Sequence, residues 1–306
     1  MPKDDIDDLN NQRVRTPSDQ VQQQVRVGCL RFRKMFIKLI RESWGVSQTT
    51  TDLLNGALRE FFGSNPLSQF LDQTNSLAEV THKRRISKLG LGGIQRESAT
   101  LKVRTIHSTY FGRICPIETP EGVNAGLVNS LTCLSRVNEQ GQLVTPLSPL
   151  MEKQLQNQFF YYSNQEAQPL STTDTALLKF KRLPNQFIYT KNESAQAAQA
   201  HFQQLQVPKV HFRVQSDLQT ISLATALIPF LPYDDANRAL MGSNMQRQAV
   251  PLILPERPHI RTGLESLVIS ESGHSKESPT GGFVSYVSAQ FVIIICQALN
   301  KRALSF

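Results

Sequence analysis

The four cysteines Cys29, Cys115, Cys133 and Cys296 lie far apart, and no two of them form a CxxC pair. That spacing argues against a zinc knuckle or a disulfide framework and predicts buried, reduced thiols. A stretch able to cross a bilayer is also missing, because the longest apolar run, FVIIIC at 291–296, falls far short of the ~20 residues a membrane helix needs. It reads instead as a buried strand or helix segment. The opening residues MPKDDIDDLNNQRVR have no apolar centre for a signal peptide and too many acids for a transit peptide, so the chain is expected to stay where it is made. No internal repeat is visible.

What is present is ordinary for folded protein: hydrophobic residues make up 40% and charged residues 19% of 306. That length predicts two or three compact units. The net charge of +8 favours a polyanionic partner, nucleic acid or an anionic membrane face. Its distribution is uneven. Lys83, Arg84, Arg85, Lys88, Arg96, Lys102, Arg104 and Arg113 are opposed by the single acid Glu97, which reads as a basic patch.

Local patterns divide the chain. Thr16, Pro17 and Ser18 offer a helix start, and apolar residues spaced by three and four from Val21 to Ile40 predict a long amphipathic helix ending near Arg41. TTTDLLNGALREFFG predicts a second helix, capped at Thr51 or Asp52 and ended by Gly63. SNPLSQFLDQTNSLAEVTHKRR begins with turn chemistry and becomes a third helical or mixed segment. The alternation in TLKVRTIHSTYFGRICPI predicts strands, PIETPEGVNAG a loop, and LVNSLTCLSRVNEQGQLVTPL a hairpin turning at Glu139 to Gly141. GGFVSYVSAQFVIII predicts a strand pair without a closing element.

Three stretches carry chemistry. THKRRISKLGLGGIQR joins cations to glycines 90, 92 and 93, which suits a phosphate backbone or, equally, a solvated turn; the spacing fits neither GxGxxG nor a P-loop. DDANRALMGSNMQRQAV sets Asp234 and Asp235 at a helix N-terminus and offers Arg238, Asn244, Gln246, Arg247 and Gln248 as donors. A polar exposed helix would look the same. Its acids lack the DxDxD spacing of a cation loop. RICPIETPEG holds Cys115, Glu118 and Glu121 with His107 upstream; a thiol with a histidine base is one reading, a structural cysteine beside a rigid proline turn the other, and no oxyanion motif accompanies the first.

In this order, SQFLDQTNSLAEVTHKRRISKLGLGG, HSTYFGRICPIETPEGVNAGLVNSL and DDANRALMGSNMQRQAV closely resemble the central part of the bacterial and plastid type RNA polymerase beta subunit. The likeness extends upstream through KDDIDDLNNQRVR and EFFGSNPLSQF and downstream through TGLESLVISESG, and covers most of the chain outside about 150–215. It implies that Arg238 approaches the incoming nucleoside triphosphate, and that Gln69, Arg247 and Gln248 lie along the RNA. It places Lys88 and Arg96 in the fork loop near DNA. It implies a rifamycin-type pocket of Gln69, Phe70, Asp72, His82, Arg85, Ser87, Leu89 and Asn124. Leu71, Lys88, Leu91 and Val123 depart from the family pattern. The likeness implies no complete catalytic set and no metal site on this chain, since the catalytic Mg2+ is held by aspartates of beta-prime.

The resemblance implies a mixed α+β, multidomain fold: a fork and RNA-path region over 1–114, a β-rich external lobe over 115–228 with a variable appendage at about 150–215, and an incomplete hybrid-binding domain over 229–306. The implied activity is nucleotidyl transfer by an assembled DNA-directed RNA polymerase, the chain being inactive alone and the product of a divided beta gene. Expected partners are the remaining beta fragment or fragments, beta-prime, alpha, a sigma-type factor, template DNA and nascent RNA, with no membrane, in a plastid or else a bacterial cytoplasm. The rival reading is a stand-alone basic nucleic-acid-binding module without catalysis, and a third is a truncated, nonfunctional frame.

Overall fold

The computed structural model describes residues 5–41, 52–90, 92–151, 159–167, 212–273, 278, 281–289 and 291–296. It also describes the strands at 154–155, 172–173, 180–183, 186–189, 194–197, 203–206 and 301–305. The architecture is mixed helix and sheet. Nearly half of the variable appendage, the Thr51 cap and the substituted Leu91 lie outside the described residues.

Helix α1 (Pro17–Arg41) starts as the sequence suggests, because Thr16 and Asp19 close a reciprocal cap: the Thr16 amide donates to Asp19 Oδ2 at 3.0 Å and the Asp19 amide to Thr16 Oγ1 at 3.4 Å. It packs against α2 (Asp52–Ser64) at Gly28, where a Cβ would stand 2.8 Å from Leu54 Cδ1. Arg31 and Glu60 pair across the hairpin at 3.1 Å. Cys29 lies on the exposed side of α1, against the expectation of burial, since the buried contact with α2 falls at Gly28.

Helix α3 (Ser76–Lys83) leads into β1 (Arg85–Ser87), which pairs antiparallel with β2 (Val128–Ser130). The expected hairpin forms from β3 (Arg136–Val137) and β4 (Leu143–Met151), its turn closed by the Asn138 amide on the Gln142 carbonyl at 3.0 Å and by Gly141 at φ 77°. Strand β4 is the centre of the larger sheet; β6 (Phe160–Ser163) and β12 (Phe212–Val214) also pair with it. The strands expected in TLKVRTIHSTYFG are absent: Lys102–Arg104 and Ser108–Tyr110 form tight single turns, in which Arg104 N–H reaches Leu101 O at 3.1 Å and Tyr110 N–H reaches His107 O at 3.0 Å.

Two apolar clusters support the site. One joins Leu77 and Val80 of α3 to Leu223 and Ala224 of α5 (Leu223–Ala226) and Val268 of α7 (Glu265–Ser272). The other gathers Leu9, Tyr110, Ile114 and Leu143. The expected final strand pair is a three-stranded sheet, β13 (Gly282–Val287), β14 (Phe291–Cys296) and β15 (Lys301–Ser305), so a third strand follows the pair. The FVIIIC segment is a strand, yet Phe291 and Ile295 are exposed, because no other layer among the described residues covers the sheet.

Candidate functional site

Helix α6 (Ala236–Gln246) begins at Asp235, whose Oδ2 accepts the Asn237 amide at 3.1 Å, and it buries Ala239 and Ser243. Arg238 lies on the exposed side of its first turn, where the guanidinium touches Met241 Sδ at 3.9 Å. Arg247 follows the last turn and is half-enclosed. Its Nε is 3.8 Å from Glu118 Oε1 and its Nη2 donates to Asn244 Oδ1. Gln248 is exposed beside it. At 1.5 Å rise per residue the two arginines are about 14 Å apart along the axis, so they suit two parts of one extended anionic ligand rather than a single phosphate.

Asn75, which sequence reasoning did not single out, joins this helix to α3. Its Nδ2 approaches the carbonyls of Gln246, Arg247 and Ala249 at 3.1, 3.1 and 2.8 Å, while its Oδ1 accepts the Ala78 amide at 2.7 Å and caps α3. The signal that could have found it is an Asn directly before the helical run SLAEV.

The structure brings three of the expected pocket residues into direct contact. His82 Nδ1 accepts the Asp72 amide at 3.1 Å, and its Nε2 lies 3.2 Å from Gln69 Oε1. A ring that accepts at Nδ1 and donates at Nε2 is the neutral tautomer. Desolvation, followed by repulsion from Arg85, lowers the His82 pKa from 6.5 in the same sense. Asp72 is held below the ordinary carboxylate value, chiefly by Thr74 Oγ1, which donates to it at 2.7 Å. Phe70 is fully exposed beside them. Arg85, whose pKa is lowered by desolvation and then by Arg247, lies in the field of Glu118 and Asp72. Ser87 Oγ accepts the Leu89 amide at 3.1 Å, and Asn124 lies in the turn that leads to β2. Arg238, at the far end of α6, touches none of these residues.

Residues 69–137 match the family model described as RNA polymerase Rpb2, domain 3. The DNA-directed RNA polymerase subunit beta of Oltmannsiellopsis viridis is 51% identical over 304 residues, covering 95% of this chain and 21% of that protein. The subunit beta N-terminal section of Stigeoclonium helveticum is 48% identical over 299 residues, covering 95% and 42%. The subunit beta of Prochlorococcus marinus is 45% identical over 300 residues, covering 95% and 27%. The chain belongs to the RNA polymerase beta-subunit family. It spans less than half the length of each of these relatives.

In this beta-family chain the glycine-rich loop after β1 is shaped by close backbone approach. Gly90 and Gly92 have φ of 103° and 79°, and a Cβ on Gly93 would stand 2.3 Å from the Lys88 carbonyl, which accepts the Ile94 amide at 2.8 Å. The Lys88 ammonium is turned inward, donating to Val103 O at 2.7 Å and lying 5.5 Å from the Tyr110 ring centre. Arg96 is exposed at the other end of the loop. Beneath the loop a cavity of about 770 Å³ is lined by residues including Phe61, Asn65, Leu89 and Ile94.

The basic patch expected between residues 82 and 113 is largely not a surface. Arg84 donates to the carbonyls of Thr132, Cys133 and Ser135, and Arg104 to those of Val123 and Ala125. Arg113 donates to Leu143 at 3.1 Å, Phe111 at 3.3 Å and Tyr162 at 3.2 Å, with its pKa pushed down to about 10 by burial. Lys83 pairs with Glu79 at 2.8 Å. Arg84 and Arg104 thus satisfy loop carbonyls, and Arg113 ties the Phe111 carbonyl to those of Leu143 in β4 and Tyr162 in β6, as buried backbone acceptors demand.

The thiol and imidazole considered together in the sequence are apart. Cys115 is buried, with Sγ accepting the Glu118 amide at 3.4 Å, whereas His107 is bonded to Thr109 at 2.7 Å. Burial raises the Cys133 thiol to about 11 and makes it unreactive. Among the described residues no group of three or more His, Cys, Asp or Glu side chains is disposed to hold a metal, and no helix is long and apolar enough to cross a membrane.

Proposed function

We propose that this chain is one section of a beta subunit and acts only within an assembled DNA-directed RNA polymerase. There Arg238 orients the triphosphate of the incoming nucleotide, and Arg247 and Gln248 hold the RNA 3′ end. Gln69 lines the RNA path, and Arg96 reaches DNA at the fork. The observation that carries the reading is one capped helix presenting Arg238 to solvent while anchoring Arg247, in a chain 51% identical to a polymerase beta subunit over 95% of its length. Planar guanidinium groups give charge-assisted, bidentate contacts to phosphate, so this chain would contribute orientation and charge stabilisation rather than a general base. Among the described residues no cluster of His, Cys, Asp or Glu fits a Mg2+ site, and none of the roles proposed for this chain runs through the metal that the family holds on beta-prime.

The partners are the remaining beta section or sections, beta-prime, alpha and a sigma-type factor, acting on template DNA and nascent RNA. The compartment is a plastid, with a bacterial cytoplasm as the alternative; relatives from Oltmannsiellopsis viridis and Prochlorococcus marinus at 51% and 45% identity support both. Residues 229–306 would open the hybrid-binding domain, and the β4-centred sheet would form the external lobe. A stand-alone basic module needs outward cations, and Arg84, Lys88, Arg104 and Arg113 face carbonyls instead. Purification of the transcribing complex through beta-prime, followed by mass spectrometry, tests the reading. The chain is expected there in stoichiometric amount, and active particles that lack it would sink the proposal.

A further inference from the structure

Glu118 is 2% exposed, and neither of its carboxylate oxygens accepts a hydrogen bond among the described residues. Such a group is strongly unfavourable unless an opposite charge offsets its desolvation. The cation paired with it is Arg247, with Nε 3.8 Å from Oε1 and a side chain 14% exposed. That Nε is itself buried and makes no hydrogen bond among the described residues. Two enclosed groups of opposite charge therefore depend on each other.

The surroundings make the pair directional. Arg247 Nη2 is committed to Asn244 Oδ1, and Asn244 Nδ2 donates to the carbonyl of Thr119, the residue after Glu118, at 3.4 Å. Pro116 and Pro120 stiffen the loop that carries Glu118, and its amide is held by Cys115 Sγ at 3.4 Å. Nη2 is thus held by a hydrogen bond and Nε faces the Glu118 carboxylate at 3.8 Å without one, leaving Nη1 with no acceptor among the described residues. Arg85 repels Arg247, and Glu118 and Asp72 are the acids facing Arg85. Removing the Glu118 charge would leave two arginines with one fewer counter-charge.

We infer that Glu118 is a positioning residue for the RNA 3′ end: its buried carboxylate holds the Arg247 guanidinium in place by charge, so that Nη1 is presented to the RNA. The inference rests on the reading of Arg247 given above. The test uses the assembled polymerase on a preformed RNA–DNA scaffold, measuring retention of the RNA 3′ end and the KM for nucleotide. Glu118→Gln should shorten retention by about tenfold, and Arg247→Lys, which keeps the charge but has no Nε, by a similar factor. Neither should move the nucleotide KM. In an Arg247→Ala background Glu118→Gln should add less than about twofold, because its only route is through the arginine.

Full retention in Arg247→Lys overturns the inference, even if Glu118→Gln does not assemble. So does an undiminished effect of Glu118→Gln in the Arg247→Ala background. Normal retention in Arg247→Ala itself would remove the assignment of Arg247 to RNA, a failure distinct from the first two.

Discussion

The side chain of Asn75 holds the main chain of Arg247 at 3.1 Å while its carbonyl oxygen caps α3, so one amide fixes the C-terminal end of α6 against the start of α3. Asn75→Ala removes both functions. The lost cap alone costs about 1 kcal/mol. Asn75→Ser restores an N-cap oxygen but not the donor to α6. The assembled enzyme carrying Asn75→Ser should recover thermal stability relative to Asn75→Ala yet retain the RNA 3′ end as poorly as the alanine variant. Wild-type retention in the serine variant would show that the link to α6 does not matter.

Inward and outward cations should separate cleanly. Arg113 is buried on three carbonyls, so Arg113→Ala should destabilise the chain by roughly 3 kcal/mol and leave the salt dependence of nucleic-acid binding unchanged wherever the variant still assembles. Arg96 is exposed, and Arg96→Ala should do the reverse, lowering the slope of log affinity against log salt by about one while stability holds. Binding titrations across salt concentrations, beside melting curves, distinguish the two.

The neutral His82 predicts a pH dependence. Its folded pKa lies below 6.5, so as pH falls through 6.5 the unfolded chain takes up a proton that the folded chain refuses. Stability is therefore full above that value and declines as pH falls from 6.5 toward the lowered folded value. His82→Asn cannot titrate there, and its melting temperature should be flatter over this window than that of the wild type. An equally steep decline in both would assign the effect to other groups.

Much of this organisation is legible in the sequence because its causes are local. Thr16 with Asp19, Asp235 before α6, and the NEQG turn at 138–141 each act within four residues. The fates of the cations are not local. Arg84 meets Thr132 to Ser135, and Arg113 meets Leu143 and Tyr162, so a run that reads as a surface patch becomes internal scaffolding. The stretch from Leu101 to Tyr110 misled for a related reason: its alternation resembles a strand, but its amides close turns three residues back. For the site, the arginines of α6 are readable as donors, whereas the buried pairing of Arg247 with Glu118 is a contact between distant segments that periodicity does not encode.

The central claim is that the first turn of α6 meets the nucleotide. Single-nucleotide addition by the assembled polymerase, comparing wild type with Arg238→Ala, tests it most directly. Loss of a charge-assisted contact should lower kcat/KM for the nucleoside triphosphate by about 10- to 100-fold, with RNA 3′-end retention unchanged. Unaltered nucleotide affinity in Arg238→Ala would contradict the account.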